Sequence, residues 1–69
     1  MNLNPTQIQI LQKLSSGETA KQIMTDLTLS KYQYYKLFKN CKKQLCTTHK
    51  IETLFKAIKL KIIHNENNK

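Results

Sequence analysis

The stretch that decides the fold runs from Thr19 to Cys46 and reads TAKQIMTDLTLSKYQYYKLFKNCKKQLC. Its first part is a short helix. Thr19 caps it, Gln22 three residues on completes a capping box, and Ile23, Met24 and Leu27 face inward. Thr28-Leu29 forms a link, and Ser30 with Gln33 opens a second box and a longer helix expected to run to about Cys46. Along that helix Tyr34, Leu37, Phe38, Cys41 and Leu45 recur at the spacing of one buried face. The opposite side carries Lys31, Tyr32, Tyr35, Lys36, Lys39, Lys42 and Lys43. No acid occurs between Lys31 and Lys50, so the carboxylates that ordinarily steady a lysine row from one turn away are missing. A solvated lysine face is the plain reading of such a row. The missing acids favour another, in which the neutralising charge comes from outside the chain.

Upstream, Asn4, Pro5 and Gln7 supply a cap, a first-position proline and a box partner. Ile8, Leu11 and Leu14, with Ile10 beside them, then form an apolar stripe, and Gly17 ends that helix with the positive φ a side chain would resist. Downstream of Thr47-Thr48, a fourth helix from about His49 presents Ile51, Leu54, Phe55, Ile58 and Ile62 as its main face. Leu60 and Ile63 lie off that stripe. So much apolar surface exceeds what a small core needs, and part of it is expected to stay exposed in a monomer. The reading is an all-α, compact four-helix domain over 1–64 with a polar tail over 65–69.

Composition narrows the function. A chain of 69 residues has room for one small core and offers poor housing for a deep catalytic pocket. Twelve basic residues against four acidic ones give a net charge of +8, which calls for a polyanionic partner, nucleic acid foremost. No apolar run approaches a membrane span, and the opening Met1-Asn2-Leu3-Asn4-Pro5 lacks the charged and apolar regions of a signal peptide. The expected place is the cytoplasm, with no membrane partner. Cys41 and Cys46, five positions apart on one helix, point roughly 140° apart and cannot pair there. Cys41 reads as core and Cys46 as the helix terminus. Their spacing fits no zinc motif, so neither a metal nor another cofactor is expected. Glu18, Asp26, Glu52 and Glu66 are scattered, and no nucleophile–base arrangement is visible, so the chain is not expected to be an enzyme.

A short helix, a link of about three residues and a longer helix is the helix-turn-helix arrangement, whose second helix enters the major groove of DNA. The run Leu3-Asn4-Pro5-Thr6-Gln7-Ile8-Gln9-Ile10-Leu11, then Leu14-Ser15-Ser16-Gly17 and Thr19-Ala20-Lys21-Gln22-Ile23, resembles the LuxR-type (GerE-like) helix-turn-helix domain. The likeness continues through Leu27, Leu29-Ser30, Tyr34, Lys39-Asn40, Leu45 and Ile51-Glu52 to Ala57. It implies a third helix that reads double-stranded DNA and a fourth that serves as a dimer contact. Base-contacting candidates are Tyr35, Lys36 and Lys39. Phosphate-contacting candidates are Thr19, Lys21, Ser30, Lys31, Tyr32, Gln33, Lys42 and Lys43. The dimer interface is assigned to Leu54, Ile58 and Ile62.

The departures from that pattern are specific. Thr28 stands where the family has glycine between the second and third helices, which predicts a looser or strained turn. Gln33-Tyr34-Tyr35 stands where T-V-K is usual, and Gln7 replaces a glutamate. Region 4 of sigma factors opens similarly and is a near neighbour. A protein-interaction module that contacts RNA polymerase or another regulator through the fourth helix is the alternative. An RNA-binding domain would explain the charge, but no strand carries stacking aromatics and an A-form major groove does not admit a helix. If Met1 is the start, the regulator has no input domain of its own; if the chain is excised from a longer protein, the signal is held elsewhere.

Overall fold

The computed structural model describes residues 3–64, and the proposed polar tail, 65–69, lies outside them. Four helices follow one another: α1 Pro5–Ser15, α2 Ala20–Leu27, α3 Lys31–Gln44 and α4 Lys50–Lys59. No strand occurs among the described residues. α1 is the helix that all the others pack on, and α3 also touches α4.

The helix starts are those the sequence announces. Asn4, Thr19 and Ser30 each accept from the backbone N–H three residues on, while Gln7, Gln22 and Gln33 return the bond to the cap's own N–H. All three boxes close with a neutral glutamine, so α1, α2 and α3 have no acid in their first turn. α4 begins differently. His49 makes no side-chain cap, and Glu52 accepts from the Thr48 N–H at 3.0 Å instead.

The helix ends share one device. Each is followed by a residue in the left-handed region: Gly17 (φ 91°), Thr28 (φ 55°), Cys46 (φ 57°) and Lys61 (φ 62°). Around each, the next residue's N–H reaches back five positions, as in Leu29 to Met24 and Thr47 to Lys42, and closes the terminal carbonyls. Gly17 takes this conformation freely. The other three do so against the steric cost of a Cβ, about 1–2 kcal/mol each. The turn at Thr28 is therefore not looser than one built on glycine; it keeps the tight geometry and carries the strain. α3 stops at Gln44, and Cys46 lies just beyond it, exposed and free, while Cys41 is buried as expected. Burial pushes the Cys41 thiol up to about 11, so it stays protonated near neutral pH.

The core is Ile10, Leu11, Ile23, Tyr34, Phe38, Cys41, Leu45, Ala57 and Ile63. On α3 the expected face is the buried one, with Leu37 half-buried at its edge. Tyr34 and Phe38 stack at 6.4 Å, and Tyr35 meets Tyr34 edge-on at 5.1 Å. On α1 the buried line is Gln7, Ile10 and Leu11, with Ile8 and Leu14 half-buried, so the stripe is rotated toward Ile10 from where the leucines alone place it.

α4 leaves part of its apolar stripe exposed, as the sequence suggests, but its most buried line is a different one. Its buried residues are Thr53 and Ala57, while Ile51 is 65% and Phe55 69% exposed. The helix stops at Lys59, so Ile62 lies past its end rather than on its stripe. Lys61 then turns the chain back, and Ile63, expected off the main face, is fully inside. The physical reason is close approach. Small side chains let α4 settle near α1 and α3, and the Thr53 hydroxyl donates to the His49 carbonyl at 2.7 Å. Its single proton is thereby used, so the Thr47 hydroxyl is the donor in the buried 2.6 Å pair with Thr53.

Candidate nucleic-acid interface

α2, the link Thr28–Ser30 and α3 follow one another as short helix, link and longer helix, and α1 holds α3 from behind. The tie is Gln7, a buried amide whose Nε2 donates to the Leu37 carbonyl at 3.1 Å and to Asn40 Oδ1 at 2.8 Å. A glutamate there would set an acceptor against the Leu37 carbonyl. The amide is what this pair of partners requires.

With its inner face fixed, α3 turns Tyr32, Lys36, Lys39 and Lys43 outward in one line, at one-turn spacings. All four are exposed, Tyr32 at 72%. Tyr35, 51% exposed, and Lys31 lie along one flank and, with Tyr32, Lys36 and Lys39, shape a shallow apolar-floored recess. The Lys36 ammonium sits 5.8 Å over the Tyr32 ring, which holds the pair together on the surface. Among the described residues no ion pair involves a lysine of α3.

The remaining candidates separate. Lys42 leans back over the Phe38 ring at 5.5 Å and is half-buried, which puts it at the margin of the face. Thr19 and Ser30 are exposed, with their hydroxyls engaged as caps at 3.2 and 3.1 Å. Lys21 is exposed on α2 but shares a recess with Glu18 and Asp26. Those acids also hold Lys13, at 3.6 and 3.1 Å, and Asp26 foremost raises that ammonium above its ordinary value. Both ion pairs thus lie on the α1–α2 side, while the lysines of α3, like those of α4, have none among the described residues. Asn40 and Asn4 were not foreseen. Both line a groove between the start of α1 and the outer side of α3, together with Lys36, Lys39 and Lys43. Asn40 was legible, since it lies four residues after Lys36 and three before Lys43.

A second surface lies on α4. Leu14, Leu54 and Ile58 form the floor of an apolar groove rimmed by Ile51 and Phe55. Of the residues assigned to a dimer contact, Leu54 and Ile58 are half-buried in this groove, whereas Ile62, half-buried beyond the helix, is not among its lining residues. No helix among the described residues is long and apolar enough to cross a membrane, and no three metal-ligating side chains gather there. Against known proteins, the chain has no match among family models, curated proteins or solved structures.

Proposed function

We propose that this is a double-stranded DNA-binding transcriptional regulator of the LuxR/GerE-like helix-turn-helix kind, non-catalytic and cytoplasmic, with α3 in the major groove. One observation carries the reading: α3 exposes lysines and tyrosines in a continuous line with no acid on the helix and no ion pair among the described residues. Three further features support it. The link to α2 is short, the α3 start is capped by neutral groups that leave its positive end uncancelled, and α1 clamps α3 through Gln7. Tyr35, Lys36 and Lys39 meet base edges. Lys31, Tyr32, Lys43 and the caps Thr19 and Ser30 meet phosphates, with Lys42 and Lys21 at the margins.

The regulator acts as a homodimer through α4. Phe55 projects beside a groove of Leu14, Leu54 and Ile58, so a two-fold axis would seat each ring in the partner's groove. The same exposed face favours the second reading, an interaction module for RNA polymerase or another regulator. A salt titration decides between them. Duplex binding by a dimer that engages eight to ten phosphates should lose affinity with a log–log slope of about −7 to −9. A slope shallower than about −2 excludes the α3 face as the binding surface.

A further inference from the structure

We propose that α3 reads the keto bases, guanine and thymine, along one DNA strand, because the polar groups it turns outward are donors whose companion acceptors are already engaged. The inference rests on the duplex-binding reading above and names the edge chemistry that reading leaves open.

The exposed residues of α3 are Lys31, Lys36, Lys39 and Lys43, the tyrosines at 32 and 35, and two amides, Gln33 and Asn40. An ammonium donates and never accepts. The amides are the side chains that would ordinarily bring a carbonyl oxygen to adenine N6 while donating to N7. Here each oxygen already accepts a bond within the chain, which fixes the orientation of the amide although a second lone pair remains. Gln33 Oε1 accepts the Ser30 N–H at 2.9 Å, and Asn40 Oδ1 accepts Gln7 Nε2 at 2.8 Å. Gln7 cannot turn over to release Asn40, because its own Oε1 accepts the Asn4 N–H at 2.9 Å and its Nε2 also serves the Leu37 carbonyl. Each amide therefore has its NH2 end left for a ligand. With no carboxylate on the helix, the tyrosine hydroxyls are the remaining unengaged acceptors on this face.

The major-groove edges sort against such a surface. Guanine offers two acceptors, N7 and O6, and thymine offers O4 beside a methyl group that suits a tyrosine ring. Adenine pairs an acceptor with a donor, and cytosine presents a donor alone. Guanine is thus favoured, thymine next, and cytosine opposed donor to donor. A keto base always faces an amino base across the pair. The preference is strand-asymmetric because the outward groups of α3 form a single line that would follow one strand, over about three or four base pairs.

The test selects duplexes bound by the full chain from a random pool and then alters the selected site. The expected consensus has guanine and thymine on one strand of each half-site. Replacing a contacted guanine by 7-deazaguanine, which removes the N7 acceptor and keeps pairing, should weaken binding about tenfold. Inosine, which keeps N7 and O6, should leave it unchanged. Asn40→Asp turns an acceptor outward and should shift one consensus position to adenine or cytosine. Bound duplexes without strand asymmetry, tolerance of 7-deazaguanine, or an Asn40→Asp consensus identical to the parent would each overturn the inference while DNA binding stands. A pool from which no duplex is retained would overturn the DNA reading itself.

Discussion

α3 and α4 both lie against α1, and they divide their residues in opposite ways. α3 buries its rings, Tyr34 and Phe38, and exposes its cations. α4 buries Thr53 and Ala57 and exposes Ile51 and Phe55. On α3 the monomer accounts for the aliphatic residues and two of the rings, and the lysines with Tyr32 and Tyr35 are left to be explained by a partner. On α4 the monomer accounts for the small residues and half-buries Leu54 and Ile58, and Ile51 and Phe55 are left over. One domain thus offers two unsatisfied surfaces of different chemistry, one suited to a polyanion and the other to an apolar face such as its own copy.

The largest effect should come from erasing the difference on the charged side. Lys36→Gln, Lys39→Gln and Lys43→Gln together remove three of the outward cations without touching the core. Affinity for the preferred duplex should fall at least about a hundredfold at moderate salt, affinity for random duplex should fall less, and the salt slope should shrink by about one per protomer through the phosphate-contacting Lys43. Anisotropy titrations across a salt series read both. An equal loss caused by Phe55→Ser alone, with the lysines intact and self-association unchanged, would break the division of labour between the two helices.

The next test exchanges the two sides of α4. Ala57→Leu forces a larger side chain into a fully closed position and should cost about 1–3 kcal/mol of monomer stability. Phe55→Ser removes a ring that is mostly in solvent. It should change monomer stability by no more than about 0.5 kcal/mol while reducing self-association. Urea unfolding and sedimentation separate the outcomes. If Phe55→Ser unfolds the domain, the exposed face belongs to the monomer after all.

The same contrast marks what could be read in advance. On α3, large apolar residues at helical spacing coincide with the buried face because the rings themselves fill the space between helices. On α4 the same rule holds only in part, since the fully closed positions are Thr53 and Ala57 while Leu54 and Ile58 reach the core at its edge. Counting large residues finds the stripe but misses the small residues at its centre of contact. Ile63 was missed because its burial depends on the left-handed turn at Lys61, which no glycine announces. The three capping boxes were legible because each is local, three residues long and chemically specific. Gln7 and Gln12 were not, since their partners lie far along the chain. Gln7 reaches Leu37 and Asn40, and Gln12 both donates to and accepts from the His64 backbone, at 2.9 and 3.0 Å. The lysine row of the candidate site was plain in the sequence. Asn40 stood within that row, but its bond to Gln7 needed the fold.

A smaller effect should come from the turn that leads into α3. Thr28 is exposed and left-handed, with a branched Cβ where glycine would be free of strain. Thr28→Gly relieves the native cost but lets the unfolded chain roam more widely, which offsets part of the gain. The net stabilisation should be about 0.5–1 kcal/mol, a rise in Tm of about 2–8 °C for a domain of this size. Gly17→Ala at the end of α1 should do the reverse, although no atom stands within 4 Å of the added Cβ, because the backbone there needs a positive φ. A lower Tm for Thr28→Gly would mean that the threonine contributes something its exposure does not suggest.

The smallest effect concerns how the two helices begin. α4 carries a carboxylate in its first turn, and α3 carries a neutral glutamine at the corresponding place. The bond from the Thr48 N–H holds the Glu52 carboxyl below its ordinary value of 4.5, with the His49 N–H adding to it. A lowered folded value means that the stabilisation is present above about 4.5 and disappears as pH falls through the lower, folded value. Glu52 is fully solvated, so the increment is small. Glu52→Gln should therefore melt slightly below the parent at neutral pH, and the two curves should converge in acid. Gln33→Glu makes the opposite exchange on α3. It keeps the capping geometry, places an anion at a positive helix end, and should stabilise the fold by about 0.3–1 kcal/mol. The same anion would face the duplex, so DNA affinity should fall several-fold as thermal stability rises. If stability and affinity rose together, the start of α3 would not lie against phosphate, and its neutral cap would need another explanation than the ligand it leaves room for.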